Sequence, residues 1–294
     1  MAKISIIGSG VVGTEMGKGF AKLGNDVFFC DIDEKRVEQL KKEGCNATTD
    51  AIEAVSKTDI SFITVPTPTH EGKINLDYIK SASESIANVL KNKNEYHLIV
   101  VKSTVIPGTV ENVVKSLIEK ISGKVCGSDF GLCMNPEFLT EIHKSWSDDS
   151  SMVRGFFTED RIVIGGFDKR SGDMLEELYK KTNIPIFRVN IKTAELIKYA
   201  ANCCLASRIS YWNEIFYICN QLGIDSNLVA KIVSTDKRIG TYGTIHGMAF
   251  GGKCFPKDLQ AFIALAEESG YDPRFLKAVR DVNEKIKNDR GVRE

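Results

Sequence analysis

The sequence predicts an α/β fold: a doubly wound parallel sheet, then a helical domain built on one long spine helix. Three observations carry the prediction. Short apolar runs alternate with amphipathic helical stretches over the first two-thirds of the chain. Those runs are continuous rather than alternating, which suits strands buried on both faces. Beyond Val189 the strand signal fades, and Ile191–Leu222 keeps helical spacing without proline or glycine.

The elements follow in order. Residues 4–7 form an apolar run ending in glycine, and residues 11–23 read as a helix stopped by Gly24. Residues 27–30 are the second strand, closed by Asp31. Residues 60–65 and 98–101 are two further strands, with helical patterns over 76–90 and 110–121. Later strands are expected at 131–134, 161–164 and 185–189. In Ile191–Leu222 apolar side chains recur at Leu196, Tyr199, Ala200, Cys203, Ala206, Ile209, Ile215 and Ile218. A helix of that length reaches ~48 Å, longer than one small domain. It is therefore expected to leave the first domain and form the spine of a second. That gives two domains, residues 1–190 and 191–294. Further helices are read at 225–233, 257–269 and 273–287, and the charged residues 288–294 are expected to fray.

Composition excludes several classes. The 294 residues carry 39 Lys plus Arg and 39 Asp plus Glu, so there is no basic excess to neutralise nucleic-acid phosphates. At 43% hydrophobic and 27% charged residues, distributed along the whole chain, disorder is not expected. No apolar run approaches the ~20 residues of a membrane span. The first residues lack the pattern of a signal peptide, since glycines break the apolar stretch and Glu15 and Lys18 follow. A cytoplasmic location is expected, with the eight cysteines reduced and mostly buried. None of them forms a C-x-x-C pair, and no metal site is read.

Two segments carry chemistry. Gly8-Ser9-Gly10-Val11-Val12-Gly13 is a G-x-G-x-x-G fingerprint in the strand–turn–helix context that binds dinucleotides. Gly8 permits the tight turn, Gly10 admits a pyrophosphate, and Gly13 lets the helix pack on the strand. Asp31, at the end of the second strand, suits the ribose hydroxyls of NAD and repels the extra phosphate of NADP. Lys35 and Arg36 pull the other way, as cations able to meet a phosphate. The second segment is Phe250-Gly251-Gly252-Lys253-Cys254-Phe255-Pro256-Lys257-Asp258. Pro256 is suited to a helix start, which places Cys254 at a helix N-terminus, where the dipole favours a thiolate. Lys257 adds positive charge, and Asp258 can hold a water or a proton.

Here the sequence resembles the UDP-glucose/GDP-mannose 6-dehydrogenases. The motifs occur in order over nearly the whole chain. After the fingerprint come Val65-Pro66-Thr67-Pro68, Lys102-Ser103-Thr104-Val105 with Pro107-Gly108-Thr109, and Asn135-Pro136-Glu137-Phe138-Leu139. Then follow Glu195-Leu196-Ile197-Lys198-Tyr199-Ala200-Ala201-Asn202, Arg238-Ile239-Gly240 and the cysteine segment. The resemblance implies a Rossmann-type domain, two NAD consumed per turnover, and oxidation of a nucleotide-sugar C6 alcohol to the carboxylate. Cys254 would carry a thiohemiacetal and then a thioester. Lys198 and Asn202, one helical turn apart, would donate to the oxyanion. Glu137 would be the base for hydrolysis, with Asp258 and Thr104 at the water. Val65, Thr67, Thr104 and Glu141 would line the cofactor cleft, with Lys257 near it. Phe138, Leu139, Tyr242, Gly243 and Gly251 would contact substrate. Arg238 would reach the substrate of a neighbouring subunit, in a homodimer built on the long helix.

Three features depart from the family pattern. Ile142 follows Glu141 where many members have glycine, and Lys253 precedes the cysteine where many have serine. The C-terminal UDP-binding domain usual in the family is expected to be absent. UDP-glucose is the expected substrate, with GDP-mannose or a UDP-N-acetyl sugar as alternatives. Two further readings stay open: a two-electron hydroxyacid dehydrogenase, which needs no cysteine nucleophile, and an inactive NAD-binding remnant.

Overall fold

The computed structural model describes residues 1–70, 72–140, 146–147, 149, 152–252 and 254–293. Two compact units emerge. The first comprises Met1–Pro68, Asn75–Leu139 and Arg154–Lys198; the second comprises Thr69–Ile74, Thr140–Val153 and Tyr199–Glu294.

The first unit contains β1 (Lys3–Ile7), α1 (Val11–Lys22), β2 (Asp26–Cys30), α2 (Glu34–Lys42), β3 (Asn46–Thr48), α3 (Ala51–Ser56) and β4 (Ile60–Ile63). To the second unit belongs a small hairpin, β5 (Thr69–His70) with β6 (Lys73–Ile74). The first unit resumes with α4 (Asp77–Leu90), β7 (His97–Val101), α5 (Ser116–Ser122), β8 (Phe130–Met134), β9 (Ile162–Gly166), α6 (Lys169–Tyr179) and β10 (Ile186–Val189). Its eight strands run β10-β9-β8-β7-β4-β1-β2-β3. The central strands bury both faces. Ile4, Ile6, Phe62, Leu98 and Val100 enter one core, while Ile7, Ile63, Ile99 and Val101 enter the other. That is why these strands read as continuous apolar runs. Strand order reverses between β1 and β4, so the carboxyl ends of these two strands frame the ligand crevice of a doubly wound sheet.

The sheet departs from the expectation in one pairing: β9 lies antiparallel to β8, while the other pairings are parallel. An antiparallel β9 starts from the edge where β8 ends, so the chain needs no helical crossover there. The helix expected over 110–121 also differs. Its first part, Val110–Lys115, is π-helical and passes into α5.

The second unit carries most of α7 (Ile191–Leu222), which begins in the first unit, with α8 (Ser226–Val233), β11 (Ala249–Phe250), α9 (Phe255–Glu268), α10 (Arg274–Arg290) and β12 (Val292–Arg293). Asp225 caps α8 by accepting from Asn227 N. Cys203, Ala206, Ile209, Phe250, Leu259, Ile263 and Val279 form its core with Trp146. Residues 288–294 were expected to fray. Instead α10 continues to Arg290, and Val292 and Arg293 pair with Ala249 and Phe250. Backbone pairing is indifferent to the polar side chains that suggested disorder. Cys30, Cys126, Cys133, Cys203 and Cys219 are buried as expected, but Cys204 is exposed and Cys45 partly so.

Candidate active site

The fingerprint forms the turn between β1 and α1. Gly8 has φ +97°, and a Cβ there would stand 3.0 Å from the Thr64 backbone. A Cβ on Gly13 would collide with the Gly8 carbonyl, so only glycine lets α1 approach this closely. Gly10 caps α1 without a side-chain hydrogen bond, no acid occupies the first turn, and the space beside Gly10 is open. The first N–H groups of α1, from Val11 and Val12 on, therefore offer an anion site backed by the helix dipole. Opposite them, Asp31 accepts from Ser9 N at 2.6 Å and Asp33 N at 3.0 Å. Each carboxylate oxygen retains acceptor capacity. Lys35 lies in the first turn of α2, where its N–H is capped by Asp33. Past β4, Thr67 Oγ1 donates to Thr104 O at 2.8 Å and Ser103 Oγ to Val65 O at 2.7 Å, which gathers Val65, Thr67 and Thr104.

A buried ion pair follows β8. Lys198 Nζ donates to Glu137 Oε1 at 3.0 Å and to the Glu137 carbonyl at 2.7 Å. Glu137 Oε2 accepts from Leu139 N at 2.8 Å. Burial would raise the Glu137 carboxyl. The Lys198 charge and hydrogen bond, joined by the Lys102 charge and the Leu139 N–H, outweigh it and hold the group below the usual carboxylate range. Phe138 places its ring 4.0 Å from the Arg161 guanidinium and 5.5 Å from Lys198 Nζ.

In the second unit, Cys254 is the exposed N-cap of α9, and its carbonyl accepts from Asp258 N at 2.9 Å. Pro256 follows within the first turn, as the sequence required. Asp258 is buried, and its carboxylate accepts from Asn202 Nδ2 at 2.6 Å and Lys257 Nζ at 2.5 Å. Gly251 and Gly252 lead into the cysteine, Gly251 packed against Val292 and Gly252 at φ +74°. Gly243 N donates to Trp146 O at 2.7 Å, and Tyr242 O accepts from Arg208 Nε at 3.1 Å. Arg238 is a surface residue, paired with Asp236 at 2.6 Å.

Two family models match the chain. The NAD-binding domain of the UDP-glucose/GDP-mannose dehydrogenase family matches residues 2–47 and 41–183, and the central domain of the same family matches residues 192–285. The chain belongs to the UDP-glucose/GDP-mannose dehydrogenase family. UDP-glucose 6-dehydrogenase AglM of Haloferax volcanii is 39% identical over 96% of the chain and 69% of that protein. GDP-mannose 6-dehydrogenase of Pseudomonas syringae pv. tomato is 38% identical over 96% and 68%. Among solved structures, a UDP-glucose dehydrogenase from Pyrobaculum islandicum superposes with a TM-score of 0.89 at 36% identity, covering 98% of this chain and 69% of that one.

The family's NAD-binding domain fits the first unit. The glycine cradle a Cβ would fill, the uncapped start of α1 and the acid at Asp31 form a set suited to a dinucleotide diphosphate and its ribose. Glu141, Ile142 and Lys253 lie outside the described residues.

Lys102, Asn135 and Glu195 lie in the family-like motifs, and only the structure gives them partners. Glu195 accepts from Gly108 N at 2.5 Å and Val110 N at 2.8 Å, anchoring the start of α7 one turn before Lys198. Burial pushes its carboxyl up to about 7. A lysine directly after the apolar run of β7 was the available signal for Lys102.

Proposed function

We propose that this protein is a nucleotide-sugar 6-dehydrogenase that converts the C6 alcohol to the carboxylate, with UDP-glucose as substrate and UDP-glucuronate as product. The supporting observation is the exposed Cys254 at the N-cap of α9, followed in the first turn by Lys257 and Asp258, with Asp258 bonded to Asn202. A two-electron hydroxyacid dehydrogenase has no use for such a nucleophile.

NAD, when bound, supplies the hydride acceptor for each of the two oxidations. Gly8, Gly10, Gly13 and the first N–H groups of α1 hold its diphosphate, and Asp31 its ribose; Val65, Thr67 and Thr104 line the cofactor, with Glu141 and Lys257 near it. Between the oxidations, the Cys254 sulfur attacks the aldehyde carbon, the C–S bond forms, and the carbonyl oxygen becomes the thiohemiacetal oxygen. Lys198 and Asn202 donate to that oxygen while it carries charge. After the second oxidation leaves a thioester, Glu137 takes a proton from the attacking water. The C–S bond breaks, Cys254 leaves as thiolate, and the carboxylate is released. Asp258 and Thr104 hold the water. Phe138, Leu139, Tyr242, Gly243 and Gly251 bind the sugar and its diphosphate.

The relative acting on GDP-mannose is almost as similar as the one acting on UDP-glucose, so GDP-mannose is the second reading. A panel of UDP-glucose, GDP-mannose and UDP-N-acetyl sugars, followed by NADH formation, tests the assignment. UDP-glucose should show the highest kcat/KM. NAD binding without turnover of any sugar would contradict it and favour a remnant.

The same reading gives a cytoplasmic homodimer joined through α7. Tyr211, Ile218 and Leu222 on α7 and Leu228 and Ile232 on α8 are exposed apolar side chains. With the partner in place, Arg238 reaches the neighbouring substrate. Among the described residues no helix is long and apolar enough to cross a membrane. Sedimentation equilibrium showing only monomer at micromolar concentration would refute the dimer.

A further inference from the structure

Lys102 directly follows β7 and is buried. Its Nζ donates to Asn135 Oδ1 at 3.2 Å and to Pro136 O at 3.4 Å, and lies 5.9 Å from the centre of the Tyr179 ring. Both acceptors are neutral. An ammonium held this way is costly to bury: burial pushes the Lys102 amine below its usual range, against the pull of the Glu159 and Glu137 charges that favour its protonated form.

Asn135 is rigidly framed. Its N–H donates to Val101 O at 2.9 Å and its Nδ2 to Val163 O at 2.7 Å, while Oδ1 also accepts from the Tyr179 hydroxyl at 2.8 Å. The second acceptor of Lys102, the Pro136 carbonyl, belongs to the peptide unit leading into Glu137. Lys102 is thus bonded to the two residues that lead into Glu137.

The charges around Glu137 come from several elements. Lys198 approaches from α7 and touches the carboxylate. Lys102 attracts it from the end of β7. From the segment before β9 come Glu159, close enough to act on Lys102 and on Glu137, and Arg161, which acts on Glu159. Tyr179 presents a neutral hydroxyl from α6. In the proposed reaction Lys198 has two tasks, because it holds Glu137 and also donates to the substrate oxygen. A carboxylate supported by Lys198 alone would lose that support whenever Lys198 turns to the substrate.

We propose that Lys102 is a positioning residue for the hydrolytic half of the reaction. It fixes the Asn135-Pro136-Glu137 turn and supplies the second buried positive charge that keeps Glu137 ionised while Lys198 serves the substrate. This rests on the roles given above to Glu137 and Lys198.

The test compares Lys102→Met, which keeps the length and loses the charge, with Lys102→Arg. The first readout needs no substrate: the carboxyl ¹³C shift of Glu137, assigned by its loss in Glu137→Gln, is followed against pH. Its midpoint should rise by roughly one pH unit in Lys102→Met and stay in place in Lys102→Arg. The second readout is kinetic. The acid limb of kcat should move upward with that midpoint, because Glu137 works when ionised, while KM for NAD changes less than about threefold. Slower turnover with an unmoved midpoint would reduce Lys102 to a structural residue and overturn the proposal. Should Lys102→Met not fold, a midpoint that rises in Lys102→Arg would overturn it equally. If the wild type turns over no nucleotide sugar, the functional reading fails, yet the ¹³C titration still decides whether Lys102 controls Glu137.

Discussion

Replacing Lys198 with methionine removes one side of a buried ion pair, and the structure sets the size of the effect. The Lys198 side chain is 5% exposed and that of Glu137 12%, with 3.0 Å between Nζ and Oε1 and a second bond of 2.7 Å to the Glu137 carbonyl. Breaking a buried pair from one side costs about 3–5 kcal/mol. Glu137 keeps the Leu139 N–H and the Lys102 charge, which places this case at the lower end, about 3 kcal/mol. For a domain of this size that corresponds to a fall in Tm of roughly 6–12 °C. Glu137→Gln should also destabilise, since it removes the negative charge beside the buried lysine. Removing both charges together with Lys198→Met and Glu137→Gln should recover about 2 kcal/mol relative to the sum of the single changes. Activity should not follow stability. Loss of one oxyanion donor costs about 100- to 1000-fold in kcat, and the double variant, which also lacks the Glu137 base, should be at least that slow. Urea unfolding and initial NADH rates on the four proteins provide the cycle. Additive stability losses would refute the energetic coupling, and turnover regained with stability would refute the donor role of Lys198.

His97 is fully buried and its Nε2 lies 2.8 Å from Ser61 Oγ; burial, with the Lys93 charge, pushes its imidazole down to about 3. Above about pH 6.5 the imidazole is neutral in both the folded and the unfolded chain, and stability is lost as pH falls toward 3, by about 1.4 kcal/mol per pH unit. The difference in unfolding free energy between wild type and His97→Gln should therefore rise with pH up to about 6.5 and then stay flat. Far-UV circular dichroism should follow this unfolding, because Trp146 and Trp212 both lie in the second unit. A pH-independent difference would contradict the burial argument. At the cofactor turn, Asp31→Ser removes the acid that disfavours a 2′-phosphate while Lys35 and Arg36 stay nearby. The kcat/KM ratio of NADP to NAD should rise at least about tenfold; an unchanged ratio would remove Asp31 from the ribose site.

The strands of the sheet centre were legible because their side chains enter two cores, which writes mostly apolar residues along their length. Shorter elements were not. Only Val37 and Leu40 of α2 are buried, too few to stand out from its charged face. The antiparallel turn of β9 and the pairing of Val292 with Ala249 depend on distant backbone that no local pattern records. The site divides the same way. Cys254 and the fingerprint announced themselves through glycine and proline placement around a helix start. Lys102 and Glu195 acquire roles only through burial and partners supplied by other segments.

The central claim is a four-electron oxidation carried by Cys254. NADH released per UDP-glucose consumed, measured to completion with purified protein, tests it most directly. The account predicts two NADH per sugar and loss of the overall reaction in Cys254→Ala. A ratio of one, with Cys254→Ala fully active, would contradict it.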